Sequence, residues 1–287
     1  NDLAALKQRD LSAEARYEAL VIPDVQRACD LLAPLHRDSG GNAGYVSLEV
    51  SPALAHDADG TFAAGLRLKA AVDRANLLIK VPATTAGLDA IERLIGAGVS
   101  VNVTLMFSLA HCEAVAEAYL RGLHRLRAAG GEAAPVMSVA SLFLSRVDTL
   151  VDKLLEERGG DLLALRGRTA VAMARLAYAA YQERFHGAAF EALAAAGARP
   201  QYMLWASTGT KNPAYSDLLY VEPLIGAETI NTVHDATLDA LRDHGKIAST
   251  LEEDVEQAAQ QFVALAAAGI DMVAVGERLQ QEGLAQF

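Results

Sequence analysis

The sequence predicts an α/β fold whose parallel strands close into a (β/α)8 barrel. Three observations carry that prediction. Short β-rich runs alternate with longer stretches rich in Ala, Leu, Arg and Glu, the beat of a parallel sheet covered by helices. The β-rich runs are nearly continuous in apolar residues, as strands buried on both faces are. Polar residues gather within or just after those runs, at Glu49, Lys80, Asn102, Thr104, Ser141 and Ser207, which in a barrel is the end where active sites are built. An open doubly wound sheet would instead show a Gly-rich phosphate turn after its first strand. Neither VSLEVSP nor IKVPATTAG contains one.

The elements follow in order. The opening NDLAALKQRDLSAEARYEALVIPDVQRACDLL is helix-like throughout. GYVSLEV, Gly44–Val50, reads as a strand. Its alternation sets Tyr45, Ser47 and Glu49 on one face and Val46, Leu48 and Val50 on the other. A helical stretch spans Gly60–Asp73, and NLLIKVP, Asn76–Pro82, is the next strand. Thr85–Asp89 resembles a helix start, with Asp89 near the positive end of the dipole of a helix running to Ala97. Val99–Thr104 is a strand with Asn102 and Thr104 on one face, and Leu109–Ala128 is a helix. RAAGGEAAP, Arg127–Pro135, reads as a loop. Strands are expected over Val136–Ser141, Gln201–Ala206 and Thr229–Thr232, with one helical stretch over Asp161–Ala195. No segment reads as a linker, so residues 1–287 are expected to form a single barrel domain.

Composition narrows the function. A chain of 287 residues with 52% hydrophobic side chains is globular. A net charge of −11 argues against a nucleic-acid partner but leaves room for a locally basic pocket that takes a small phosphorylated molecule. Cys29 and Cys112 show no CxxC spacing and read as reduced, in a cytoplasmic chain. No run is apolar and long enough to span a bilayer, so no membrane partner is expected, and no signal peptide is seen. His56, His111, His124, His186, His234 and His244 are scattered, and no HExxH or Cys/His cluster appears, so no metal is expected. The absence of a GxSxG elbow disfavours a hydrolase that works by acyl transfer.

Lys80 stands out. The chain has six lysines against nineteen arginines, and this one lies inside an apolar strand. Burial disfavours the ammonium form, which favours a nucleophilic amine that attacks carbonyl groups and forms a Schiff base. The alternative is a structural lysine paired with Glu49, the only acid in its strand, and the two roles are compatible. Glu49 could shuttle protons through a water. Asn102 and Thr104 suit polyol recognition or orientation of a catalytic water, and equally suit hydrogen bonding in the core. Ser141, Phe143 and Arg146 lie in SVASLFLSRVD; Ser207 and Lys211 lie in WASTGTKNP. Arg146 and Lys211 follow late strands, where barrels often hold a phosphate, although each alone also fits an exposed cation at a helix start.

Five blocks taken together resemble transaldolase of the bacterial type: GYVSLEVSPALAHD, NLLIKVPATTAGLDAI, VSVNVTLMFS, SVASLFLSRVD and the long run from Trp205 to Leu241. The resemblance runs from about Glu14 to the C-terminus. It implies a (β/α)8 barrel without a cofactor. The barrel moves a dihydroxyacetone unit from sedoheptulose 7-phosphate or fructose 6-phosphate to an aldose phosphate, in the pentose phosphate pathway. It makes Lys80 the Schiff-base lysine, Glu49 the carboxylate that works with a catalytic water and Thr104 the residue that holds this water. Asn102, Ser141 and Phe143 become substrate contacts, and Arg146 becomes half of a phosphate clamp. The family often carries an Arg after AS on its seventh strand; ASTGTK here leaves Ser207 and Lys211 for that role, with Lys a point charge lacking the fork of Arg.

The family's first strand also carries a general-acid Asp and its second a Thr-(Ser/Thr)-Asn-Pro block, and neither is found here. The six strands are therefore expected to be the third to eighth of the barrel, with the chain incomplete at its front. If all eight strands were present, Asp2, Asp10 or Asp24 would be candidates for the missing acid. A deoxyribose-phosphate aldolase-like enzyme, or a barrel fragment completed by a partner, are the other readings. Homo-oligomerisation is left open.

Overall fold

The computed structural model describes residues 10–286. It shows an α/β fold with six strands in one sheet, in sequence order: β1 (Val46–Glu49), β2 (Leu77–Pro82), β3 (Val101–Met106), β4 (Ser138–Phe143), β5 (Tyr202–Ala206) and β6 (Thr229–Asn231). β1–β2, β4–β5 and β5–β6 pair in parallel. The helices are α1 (Ala13–Asp38), α2 (Ala58–Val72), α3 (Thr85–Gly96), α4 (Leu109–Ala128), α5 (Ser145–Arg158), α6 (Thr169–Phe185), α7 (Glu191–Ala195), α8 (Asp235–His244), α9 (Val255–Ala267) and α10 (Met272–Ala285). A parallel sheet with interleaved helices is compatible with a barrel. No single helix among the described residues is long and apolar enough to cross a membrane.

The chain divides into two compact units. One runs to Asn102 and adds Ala118–Ser138 and Gly197–Arg199; the other comprises Val103–Glu117, Val139–Ala196 and the residues from Pro200 onward.

In the first unit the helices start where side chains take up the orphan N–H groups. Ser12 accepts from Ala15 N, Asp57 from Gly60 N and Thr84 from Gly87 N. Gly87 also answers a close approach, because a Cβ there would lie 1.9 Å from the Pro82 carbonyl oxygen. On α3, Ala90, Ile91, Leu94 and Ile95 form a buried stripe while Arg93 faces out and pairs with Asp59 and Asp89. Leu77, Leu78, Ile79 and Val81 of β2 are all buried. Burying side chains of this size stabilises by roughly 1.5–3 kcal/mol each.

In the second unit Trp205 is buried on β5 and donates from Nε1 to Leu224 O at 3.1 Å. Gln280 of α10 donates to Leu105 O at the end of β3. Asp148 of α5 is buried; its Oδ1 accepts from Ala170 N at the start of α6.

Several expectations need correction. Asp161–Ala195 is not one helix: a 3₁₀ turn (Gly160–Leu165), α6 and α7 divide it. The first break comes at Gly167, whose φ of +66° no helix accommodates. The third and fourth strands begin two residues later than expected and run two further. Val99 N closes the end of α3 on Leu94 O, and Val136 N turns back to Ala133 O, so these valines belong to turns. Asp89 is not in the first turn of α3; it serves as an i,i+4 partner of Arg93 at 3.2 Å. The front of the chain is helical from Ala13 to Asp38, and the expectation of helix over residues 1–9, with Asp2, lies outside the described residues.

Candidate active site

The first unit builds a polar cluster at the C-terminal ends of its strands. The parallel register sets Glu49 of β1 beside Lys80 of β2, and Lys80 Nζ lies 2.8 Å from Glu49 Oε2. Each side chain is about a quarter exposed. Lys80 is the one residue of β2 with access to solvent, so its ammonium is not enclosed in apolar surroundings as its sequence context suggested. It is the partly exposed position of an otherwise buried strand. Two residues back on the Glu49 face, Ser47 Oγ accepts from Asn102 Nδ2 at 3.0 Å. The expected alternation of β1 is therefore observed, with Leu48 and Val50 buried on the other face.

The second unit presents the remaining candidates. Thr104 is fully buried, and its Oγ1 has no hydrogen-bond partner among the described residues. An unmet buried hydroxyl costs about 1–3 kcal/mol, which a water would relieve. Ser141 is buried, and Phe143 is half-buried with its ring 5.0 Å from that of Phe107. Arg146 sits in the first turn of α5, half-buried, with Nη1 3.8 Å from where a Cβ on Gly283 would be. It makes no ion pair with the described residues. Lys211 is exposed in the segment after β5 and likewise unpaired there.

Ser207, the other candidate after β5, is hydrogen-bonded to the start of α5. Its φ is +54°, and its Oγ lies 2.8 Å from Ser145 Oγ while its carbonyl accepts from Ser145 N. It ties the end of β5 to the start of α5, next to Arg146. Leu105, directly after Thr104, is also left-handed at φ +57°. Non-glycine residues adopt that conformation at a cost, and such strain clusters at functional strand ends.

Sequence reasoning missed four groups that hold the Lys211 segment. Tyr220 donates to Asp148 Oδ2 at 2.9 Å, and Tyr215 donates to Asp152 Oδ2 at 2.6 Å. Asp152 Oδ1 also accepts from Gly167 N. Burial pushes the Asp148 carboxyl up to about 6, against the lowering effect of its bonds from Ala170 and Tyr220. The i,i+4 spacing of two acids on α5 was the available signal. Asp10 and Asp24, the acids considered at the front, are exposed, and Asp24 pairs with Arg27.

A parallel α/β sheet with a lysine–carboxylate pair and hydroxyls at its strand ends is the framework of an α/β enzyme. The chain belongs to the family described as Transaldolase/Fructose-6-phosphate aldolase, whose sequence pattern matches residues 1–287. It is 57% identical to a transaldolase of Thiobacillus denitrificans over all of this chain and 80% of that protein. It is 48% identical to a transaldolase of Neisseria gonorrhoeae, over all of this chain and 80% of that one, and 49% identical to one of Mycolicibacterium smegmatis, over all of this chain and 77% of that one. The family match extends from end to end, so the expectation that the chain lacks the family's first two strands is not borne out.

Proposed function

We propose that this chain is a transaldolase that moves a dihydroxyacetone unit from sedoheptulose 7-phosphate or fructose 6-phosphate to an aldose phosphate, through a Schiff base on Lys80. The observation that carries this reading is the Lys80–Glu49 pair at 2.8 Å, in a chain of this family. Lys80 Nζ adds to the ketose carbonyl, and water leaves as the imine forms. Glu49 accepts the ammonium proton that must depart and returns protons to the departing hydroxyl, directly or through a water. The bond beyond the third carbon then breaks, its electrons pass into the imine, and an aldose phosphate is released. The three-carbon enamine adds to the acceptor aldehyde, and hydrolysis frees Lys80.

In this reading the unmet hydroxyl of Thr104 holds the water, and Asn102, Ser141 and Phe143 contact the sugar. Arg146 and Lys211 receive the phosphate, with Ser207 setting the start of α5, whose positive dipole end favours an anion. The resemblance leaves proton transfer at the breaking bond to an Asp on the family's first strand. We further read the chain as one (β/α)8 barrel domain, working in the cytoplasm without a cofactor. Support comes from the order of the sequence blocks and the parallel sheet.

Borohydride reduction in the presence of fructose 6-phosphate should fix a three-carbon adduct on Lys80, mapped by peptide mass. Lys80→Met should remove both adduct and activity. An adduct on another lysine would refute the assignment. Product analysis with erythrose 4-phosphate separates transfer from release of free dihydroxyacetone, the outcome that would make the chain an aldolase.

A further inference from the structure

The first unit carries a second polar feature at the opposite ends of its strands from Lys80 and Glu49. Tyr45, Ser100 and Arg199 precede β1, β3 and β5, and with His36, Arg37 and Lys69 they line a cavity of about 350 Å³. No carboxylate lines it, in a chain whose net charge is −11.

Two of its cations, Arg199 and Lys69, are held by neutral acceptors. Arg199 donates from Nε to Ala134 O at 3.2 Å, from Nη1 to Gly41 O at 2.6 Å and Asn42 Oδ1 at 3.2 Å, and from Nη2 to Gly40 O at 2.8 Å. These bonds fix the guanidinium plane without neutralising its charge. Lys69 Nζ donates to Arg74 O at 2.6 Å, which leaves two of its three N–H groups. Burial lowers its pKa, opposed by the charge of Asp73. Of the nearby acids, Asp30 is bidentate with Arg74, while Asp38 pairs with Arg37 itself at 3.6 Å on an exposed surface. His36 uses Nδ1 on Ala43 O. Holding the 40–42 turn accounts for Arg199 but not for the convergence of Lys69, Arg37 and His36 on the same space.

We infer that this cavity is a binding site for a small phosphate-bearing anion. Oriented N–H donors around a recess, those of Arg199 and Lys69 bound only to neutral acceptors, recognise phosphate oxygens through charge-assisted bonds. The volume falls in the range of sites for small organic molecules, large enough for a phosphorylated metabolite. The site shares no residue with the Lys80 pair or with Arg146 and Lys211.

The test is calorimetric titration of the full chain with inorganic phosphate and, in a second arm, with glycerol 3-phosphate. In an Arg146→Ala background, binding should persist. Adding Lys69→Met and Arg37→Ala should weaken it at least tenfold. Tighter binding of glycerol 3-phosphate than of phosphate identifies a phosphorylated metabolite as the ligand class; equal binding identifies free phosphate. Trp205 emission reports whether each variant folds. Should Lys69→Met fail to fold, Arg37→Glu, a change at an exposed position, must still weaken binding. Absence of binding in the Arg146→Ala protein, or unchanged affinity on removing the cavity cations, overturns the inference.

Discussion

Replacing Tyr220 by Phe should destabilise the second unit in a pH-dependent way. Tyr220 is 2% exposed and Asp148 1% exposed, so the bond between them is shielded from solvent. A hydrogen bond to a charged group contributes about 1.5–3 kcal/mol, and a neutral one about 0.5–1.5. Asp148 decides which applies. Its folded pKa, about 6, lies above the ordinary carboxylate value of 3.8. Between these two values the native protein keeps a proton that the unfolded chain has released. Stability from this group is therefore greatest below about pH 4 and falls by roughly 3 kcal/mol as pH rises through 6. The Tyr220 hydroxyl limits that loss by favouring the carboxylate. Tyr220→Phe should thus cost about 2 kcal/mol at pH 8 and about 1 kcal/mol at pH 5. Urea unfolding followed by Trp205, the single tryptophan, reads the difference. An equal cost at both pH values would refute the role of Asp148 as a buried charged acceptor.

Three other outcomes are expected. Thr104→Val should lower activity by about 10²-fold or more, the range of a lost acid–base relay, without lowering stability, since it removes a hydroxyl that has no protein partner; unchanged turnover would exclude Thr104 as the holder of a catalytic water. Arg146→Ala should raise KM for phosphorylated ketoses far more than for unphosphorylated dihydroxyacetone donors, and equal losses for the two would count against phosphate binding. Tyr215→Phe, which frees the Lys211 segment from Asp152, should raise KM for phosphorylated substrate while the borohydride adduct on Lys80 still forms; loss of that adduct would show a general rather than a local effect.

The Lys80–Glu49 pair was legible because two simple periods coincide. Alternation fixes the face of Glu49, and the in-register parallel pairing brings Lys80 beside it. The strand order was legible for the same reason, since each apolar run is bounded by helix. Strand ends were not: VSV and VMSV continue an apolar run straight out of a turn, so nothing in residue type marks where pairing begins. The 161–195 stretch is rich enough in Ala and Arg to mask one glycine whose left-handed φ breaks it. The Ser145–Ser207 contact joins positions 62 apart, and Asp148–Tyr220 joins positions 72 apart. Such contacts depend on the fold and leave only weak local traces. Arg199 was hidden for another reason: among nineteen arginines, nothing local distinguishes one whose bonds go to carbonyls rather than carboxylates.

The partial shielding of Lys80 has a practical side for anyone fixing the protein to a support. Amine-directed reagents will find exposed Lys153, Lys211 and Lys246 before Lys80, which is largely covered and engaged with Glu49. Coupling through amines should therefore spare Lys80, yet one tether would fall on Lys211, in the segment proposed to receive the substrate phosphate. Exchange of Lys211 for Arg would keep the positive charge and deny that anchor, leaving attachment to Lys153 and Lys246 among the exposed described lysines.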